Sequence, residues 1–178
     1  MRTGTDIDLL TRRALATGVD SALLALAPAL AWAVVGRRLG TAEPPAGARW
    51  GVAVGMTLPA VAVLALAEAR GATPGKRLLG VRVTGPGGRP PGYRRALVRL
   101  LAKTALPWEL GHQAVWDFVG GSSRRGAVLA AAAHAALAAQ AVAAACGSGR
   151  TYADLAAGTG VGRAGEEARR AGPRAERS

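Results

Sequence analysis

Residues 14–35 read ALATGVDSALLALAPALAWAVV. About twenty apolar residues in a helix, at roughly 1.5 Å each, span a hydrocarbon layer about 30 Å thick. Arg12 and Arg13 stand before the run and Arg37 and Arg38 after it, the basic flanking expected of a membrane helix. A cleaved signal peptide is the competing reading, since Ala-x-Ala sites occur near Ala31 and Ala33. Against it, the run is long for a signal core and Asp20 lies inside it.

Three more stretches extend the pattern outward. Residues 50–69 are apolar, with Trp50 placed as an interfacial anchor and Gly51 and Gly55 as a GxxxG step for close helix contact. Residues 97–119 are amphipathic: Arg99, Lys103, Glu109, His112, Gln113 and Asp117 share about half the helix circumference. This helix either lies in the interface or crosses with its polar half turned inward, and Pro107 should kink it. Residues 126–146 are nearly all Ala, with His134 and Gln140, so this segment needs its neighbours to hold it in a bilayer. The fold expected is an all-α integral membrane protein, a polytopic bundle of three to four hydrophobic helices.

Composition agrees. The chain is 50% hydrophobic yet carries a net charge of +12, as greasy segments separated by basic loops would give. The residue 70–95 loop and the tail concentrate the arginines, so both, with the N-terminus, should face the cytoplasm of a multi-pass cell-membrane protein. That arrangement requires an even number of crossings, which favours four. Within the loop, residues 78–84 have strand-like composition and Gly85 opens a turn, giving a short cytoplasmic β-like excursion. Lys76, Arg77 and Arg82 are placed there to meet anionic lipid headgroups. Residues 1–163 form the membrane domain, and residues 164–178 read as a disordered basic tail.

Several chemistries are disfavoured. Aromatic residues are 4% of the chain, too few for base stacking, so no nucleic-acid partner is expected. Gly75-Lys76 is not a phosphate loop, because Arg70 and Arg77 stand where a glycine and a Ser or Thr are required. Glu109 and His112 have di-iron spacing without a second pair, and the single Cys146 makes no zinc site. No nucleophile arrangement stands out, so neither an enzyme nor a cofactor or metal is expected.

Arg13 begins the first membrane helix, Asp20 follows two turns on, and Asp154 lies in Tyr152-Ala-Asp-Leu-Ala-Ala-Gly-Thr159 after the last hydrophobic segment. With the stretch GATPGKRLLGVRV at residues 71–83, these residues resemble the RDD family, named for one arginine and two aspartates. The resemblance runs from about residue 12 to residue 161. It implies a multi-pass membrane protein, often of three crossings, and carries the family's residues onto Arg13, Asp20 and Asp154. It also implies cation–proton exchange, an activity proposed for some members. The polar third segment and the Ala-rich fourth depart from the family pattern.

Asp20 lies roughly 10 Å into its segment at about 1.5 Å per residue, where a lone carboxylate costs about 2.5–3.5 kcal/mol. Arg13 and Thr17 share its face. Arg13, Asp20 and Asp154 therefore form either a polar clasp between the first helix and the tail or an ion site built on Asp20. Glu109, His112 and Asp117 are secondary candidates for a proton relay. Transport of a small ion or solute, and a non-catalytic adaptor binding partner helices and lipid headgroups, are the two functions that follow. Either suits a homo-oligomer or a complex with another membrane protein.

Overall fold

A computed structural model describes residues 6–31, 46–146 and 149–165. Four long helices dominate it. α1 spans Ile7–Ala31. α2 covers residues 46–68 and α4 residues 92–119, each an α-helix interrupted by one π-helical segment. α5 spans Ser123–Ala145. Helix therefore begins several residues before the apolar runs, and α4 is longer than the expected 97–119. The link between α1 and α2 lies outside the described residues, as does the tail from 166 onward.

The two π segments, Ala53–Thr57 and Leu101–Ala105, each end just before a proline at the second position of the next α-helical stretch. Proline has no N–H and crowds the carbonyl one turn back, so the ladder widens locally. In α4 the carbonyl left over by Pro107 belongs to Lys103, and Gln140 Nε2 of α5 donates to it at 3.0 Å. The distortion expected at Pro107 is thus a π-helical turn, fastened by the most buried polar residue of α5.

Between α2 and α4 the chain builds a small cap. Glycine at residue 71 takes φ 110°, and the Gly71 carbonyl accepts from the Val83 N–H. α3 follows at Pro74–Leu78, then β1 at Val81–Thr84. The strand expected over 78–84 is therefore shorter, with Leu78 ending a helical turn. β1 pairs antiparallel with β2, Gly160–Arg163, in the register Val81 to Arg163 and Thr84 to Gly160. That pairing draws the segment after α5 back under the bundle. α6, Tyr152–Ala157, packs on α4 on the way.

The helices meet in a core of Leu24, Val61, Leu64, Ala65, Ala96, Leu100 and Ala105. The residue distribution inverts that of a water-soluble protein. Arg99, Glu68 and Asp154 are among the most deeply buried side chains, while Leu15, Val54, Val63, Val115, Leu137 and Val142 are exposed. Arg49–Glu68 and Ser123–Ala145 are long and apolar enough to cross a membrane, yet only 28% and 17% of their most apolar windows are buried within the chain. The core helices of a soluble protein would be mostly covered. Greasy outer faces with charges paired inside are the pattern that lipid selects.

Candidate functional site

The stretch after α5 is organised by one carboxylate. Thr151 caps α6: its hydroxyl accepts from the Asp154 N–H at 3.1 Å, and Asp154 Oδ2 accepts from the Thr151 N–H at 2.9 Å, a reciprocal capping box. Gly158 closes the helix with φ 63°, in the left-handed conformation a helix C-terminus favours. Thr159 then donates to the Asp154 carbonyl from its N–H at 2.8 Å. The motif Asp-Leu-Ala-Ala-Gly-Thr thus supplies most of the short helix Tyr152–Ala157 and its C-terminal stop, and its capping-box carboxylate doubles as an ion-pair partner.

That cap faces two arginines. Arg13 Nη2 of α1 donates to Asp154 Oδ2 at 2.9 Å, and Arg99 Nε of α4 donates to Oδ1 at 2.6 Å. Arg99 Nη1 reaches Glu68 Oε1, at the end of α2, at 2.8 Å. Glu68 Oε2 in turn accepts from Lys76 Nζ of α3. One chain of ion pairs, Arg13–Asp154–Arg99–Glu68–Lys76, therefore ties α1, α6, α4, α2 and α3 together at one end of the bundle. Beside it, Lys103 Nζ donates to the Thr17 hydroxyl at 2.8 Å.

Burial by itself would raise the Asp154 pKa, but the Arg99 charge, the Thr151 N–H and the Arg13 charge overcome it and hold the group down to about 2. Lys76 is pushed below its ordinary range by burial, with Glu68 opposing. The Asp154 shift has a pH consequence. A carboxylate depressed when folded adds stability above its unfolded pKa of about 3.9, and that stability is lost as pH falls through the folded value. The expected loss is about 2–3 kcal/mol between roughly pH 5 and pH 1. Thermal melts of the purified chain in detergent across that range should show it, with Asp154→Asn markedly flatter.

Asp20 is engaged elsewhere. Its Oδ2 accepts from the Thr73 hydroxyl at 2.5 Å and its Oδ1 from the Gly75 N–H at 2.9 Å, so α1 supplies the N-terminal cap of α3. Thr17, on the same face, donates to the Arg13 carbonyl at 2.8 Å instead of serving Asp20. The three-residue clasp therefore resolves into two: Arg13 with Asp154, and Asp20 with the residue 71–83 loop. Lys76 is also corrected. It is 3% exposed and paired with Glu68, not presented to headgroups, because the α3 turn points it inward; Arg77 and Arg82 are exposed.

At the other end of the bundle, Arg49 Nη1 of α2 donates to Asp117 Oδ1 of α4 at 2.8 Å. The exposed Arg125 of α5 lies 3.1 Å from Oδ2, close enough for charge attraction though not aligned as a hydrogen bond. Between the two clusters α4 carries Glu109, both of whose carboxylate oxygens are buried without a hydrogen-bond partner among the described residues. His112 does not join it: its Nε2 accepts from Trp116 Nε1 at 3.0 Å. Glu109, His112 and Asp117 are thus dispersed along α4 and do not converge on one atom. No group of three His, Cys, Asp or Glu side chains fit to hold a metal occurs among the described residues.

Sequence reasoning missed Glu68 and Arg99 as the centre of the network, and Thr73 as the partner of Asp20. Glu68 ends an apolar run, where a charge is ordinarily interfacial. Arg99 was visible only as one member of a polar helix face.

A helical bundle with greasy outer faces and ion pairs buried at both ends is the class that this fold and site define. The sequence model of the RDD family matches residues 8–158. The chain belongs to the RDD family, whose members are generally membrane-associated. Comparison with curated proteins and with solved structures gave no significant match.

Proposed function

We propose that this chain is a four-crossing membrane protein that exchanges a proton for a small cation along α4, with Glu109 as the group that takes up the charge. The observation carrying this reading is the unpartnered Glu109 carboxylate. It sits on α4 roughly 15 Å from Arg99 and 12 Å from Asp117, at about 1.5 Å per residue. A bare carboxylate near a membrane midplane costs about 2.5–3.5 kcal/mol and is relieved by a proton or a cation. Asp20, with both oxygens bonded, is left out of the pathway.

The ion clusters support four crossings. Arg99 and Asp117 are roughly 27 Å apart along α4 at about 1.5 Å per residue, close to the hydrocarbon thickness of about 30 Å. The 20-residue Arg49–Glu68 stretch spans a matching length. The start of α1, the residue 70–95 loop and the α6–β2 segment share one end of the bundle, and their arginines favour the cytoplasmic side of a cell membrane for that end. Four helices are few for a transporter alone, so a homo-oligomer belongs to the reading. Gly47, Gly51 and Gly55 leave an open edge on α2 where a second helix could approach. No catalytic step and no cofactor is assigned.

The adaptor reading is favoured by the exposed Arg77 and Arg82, which can meet headgroups or a partner. Flux separates the two. Purified chain in sealed vesicles under a proton gradient should release protons when sodium or potassium is added, and Glu109→Gln should cut that rate at least tenfold. Undiminished flux in Glu109→Gln, or none in the parent chain, sinks the transport reading.

A further inference from the structure

Between α1 and the α4–α5 hairpin lies a cleft of about 990 Å³ that the core does not fill. Its walls and its floor differ in chemistry. Trp108, Val115 and Phe118 of α4 and Leu137 of α5 line the walls, and the last three are about half exposed. Arg13, Thr17 and Lys103 line the floor, at the end of the bundle that holds the α6 cap.

The charge at that floor and in the ion-pair network behind it is not balanced. Arg13, Lys76, Arg99 and Lys103 gather around Asp20, Glu68 and Asp154, one more cation than carboxylates. Arg13, Arg99 and Lys76 are each paired within the network. Lys103 is the remainder: among the described residues its ammonium has one polar contact, the Thr17 hydroxyl, and no carboxylate lies within 4.0 Å of it.

We propose that this cleft binds one anionic phospholipid, with its phosphate against Lys103 and an acyl chain along Trp108, Val115 and Leu137. An anion at Lys103 supplies the missing charge. The half-exposed apolar walls give the tail a continuous path from the bilayer, so that no water-filled entry is needed. Charge selects the occupant: a zwitterionic lipid carries its own cation and leaves Lys103 uncompensated. The site is separate from Glu109, which does not line the cleft.

Trp108 is the reporter. A chain keeping it as the only tryptophan, through Trp32→Phe, Trp50→Phe and Trp116→Phe, is reconstituted into phosphatidylcholine vesicles. A few mole per cent of either brominated phosphatidylglycerol or brominated phosphatidylcholine is included. Quenching by the anionic lipid should be several-fold stronger. Lys103→Met should equalise the two lipids, Lys103→Arg should keep the preference, and Glu109→Gln should leave it untouched. Ala141→Phe, which fills the cleft from an exposed position with Lys103 intact, should abolish the preference should Lys103→Met not fold. Equal quenching by both lipids in the parent chain overturns the proposal, as does a preference that survives Lys103→Met or Ala141→Phe. Reversal by millimolar inorganic phosphate overturns the lipid assignment in favour of a free anion.

Discussion

Asp154→Ala is expected to be the most damaging single change on the polar side of this fold, costing about 3–5 kcal/mol. Removing one partner of a buried ion pair leaves the other charge stranded, and that penalty, not the net worth of the pair, sets the magnitude. Here two arginines lose a partner together: Arg99, 1% exposed and unable to turn toward water, keeps only Glu68, and Arg13 loses its carboxylate altogether. The same substitution deletes the reciprocal cap of α6, worth a further 1 kcal/mol or so. Asp154→Asn separates the two contributions, since an amide oxygen still caps but carries no charge. Heat survival in detergent, read by size-exclusion chromatography, should rank parent above Asp154→Asn above Asp154→Ala. Arg13→Ala should fall nearer the parent, because Arg99 still neutralises Asp154 and Arg13 already reaches the surface. An Asp154→Ala chain melting with the parent would show that the network is ornament.

Which parts of this site could be read in the sequence follows from the range of the forces involved. Four helical segments were legible because length and apolar patterning are properties of each segment by itself, although the placement of the polar third and the Ala-rich fourth depended on their neighbours. The link from Arg13 to Asp154 was legible through the family motif and the need of a buried charge for an opposite one. Its neighbours were not. Lys76 follows a glycine in a basic loop, and nothing local distinguishes it from Arg77; only the α3 turn aims one inward and the other outward. Asp20 was expected to need a partner, and it has two, but they are a threonine hydroxyl and a backbone N–H. Neutral donors leave no charge pattern for sequence reasoning to follow. The pairing of β1 with β2 was equally hidden, since Gly160-Val-Gly-Arg163 has two glycines and no strand signature of its own.

The loop at residues 71–83 makes the second strong expectation, and it concerns a glycine without unusual backbone angles. A methyl group on Gly75 would overlap the Ala16 carbonyl oxygen of α1 and lie 2.9 Å from Asp20 Oδ1. Neither obstacle can yield cheaply. The carbonyl is fixed in the backbone of α1, and Ala16 is itself fully buried. Asp20 is held by the very N–H that Gly75 provides. Gly75→Ala must therefore lift α3 off α1, at a cost of about 1–3 kcal/mol for the overpacking alone. The loss of the Asp20 hydrogen bonds adds to that and leaves a carboxylate unpaired inside the bundle. Asp20→Asn should be milder, because an amide oxygen still accepts from Gly75 while the uncharged group needs less. Gly18→Ala is the matching control, since a methyl there meets nothing within 4 Å and the site is in the interior of α1. Propensity then favours alanine by up to about 1 kcal/mol. Melting midpoints in detergent should fall for Gly75→Ala and hold or rise for Gly18→Ala. Equal responses from the two would mean that α1 and α3 do not meet through Gly75, and the placement of Asp20 as the cap of α3 would have to be abandoned.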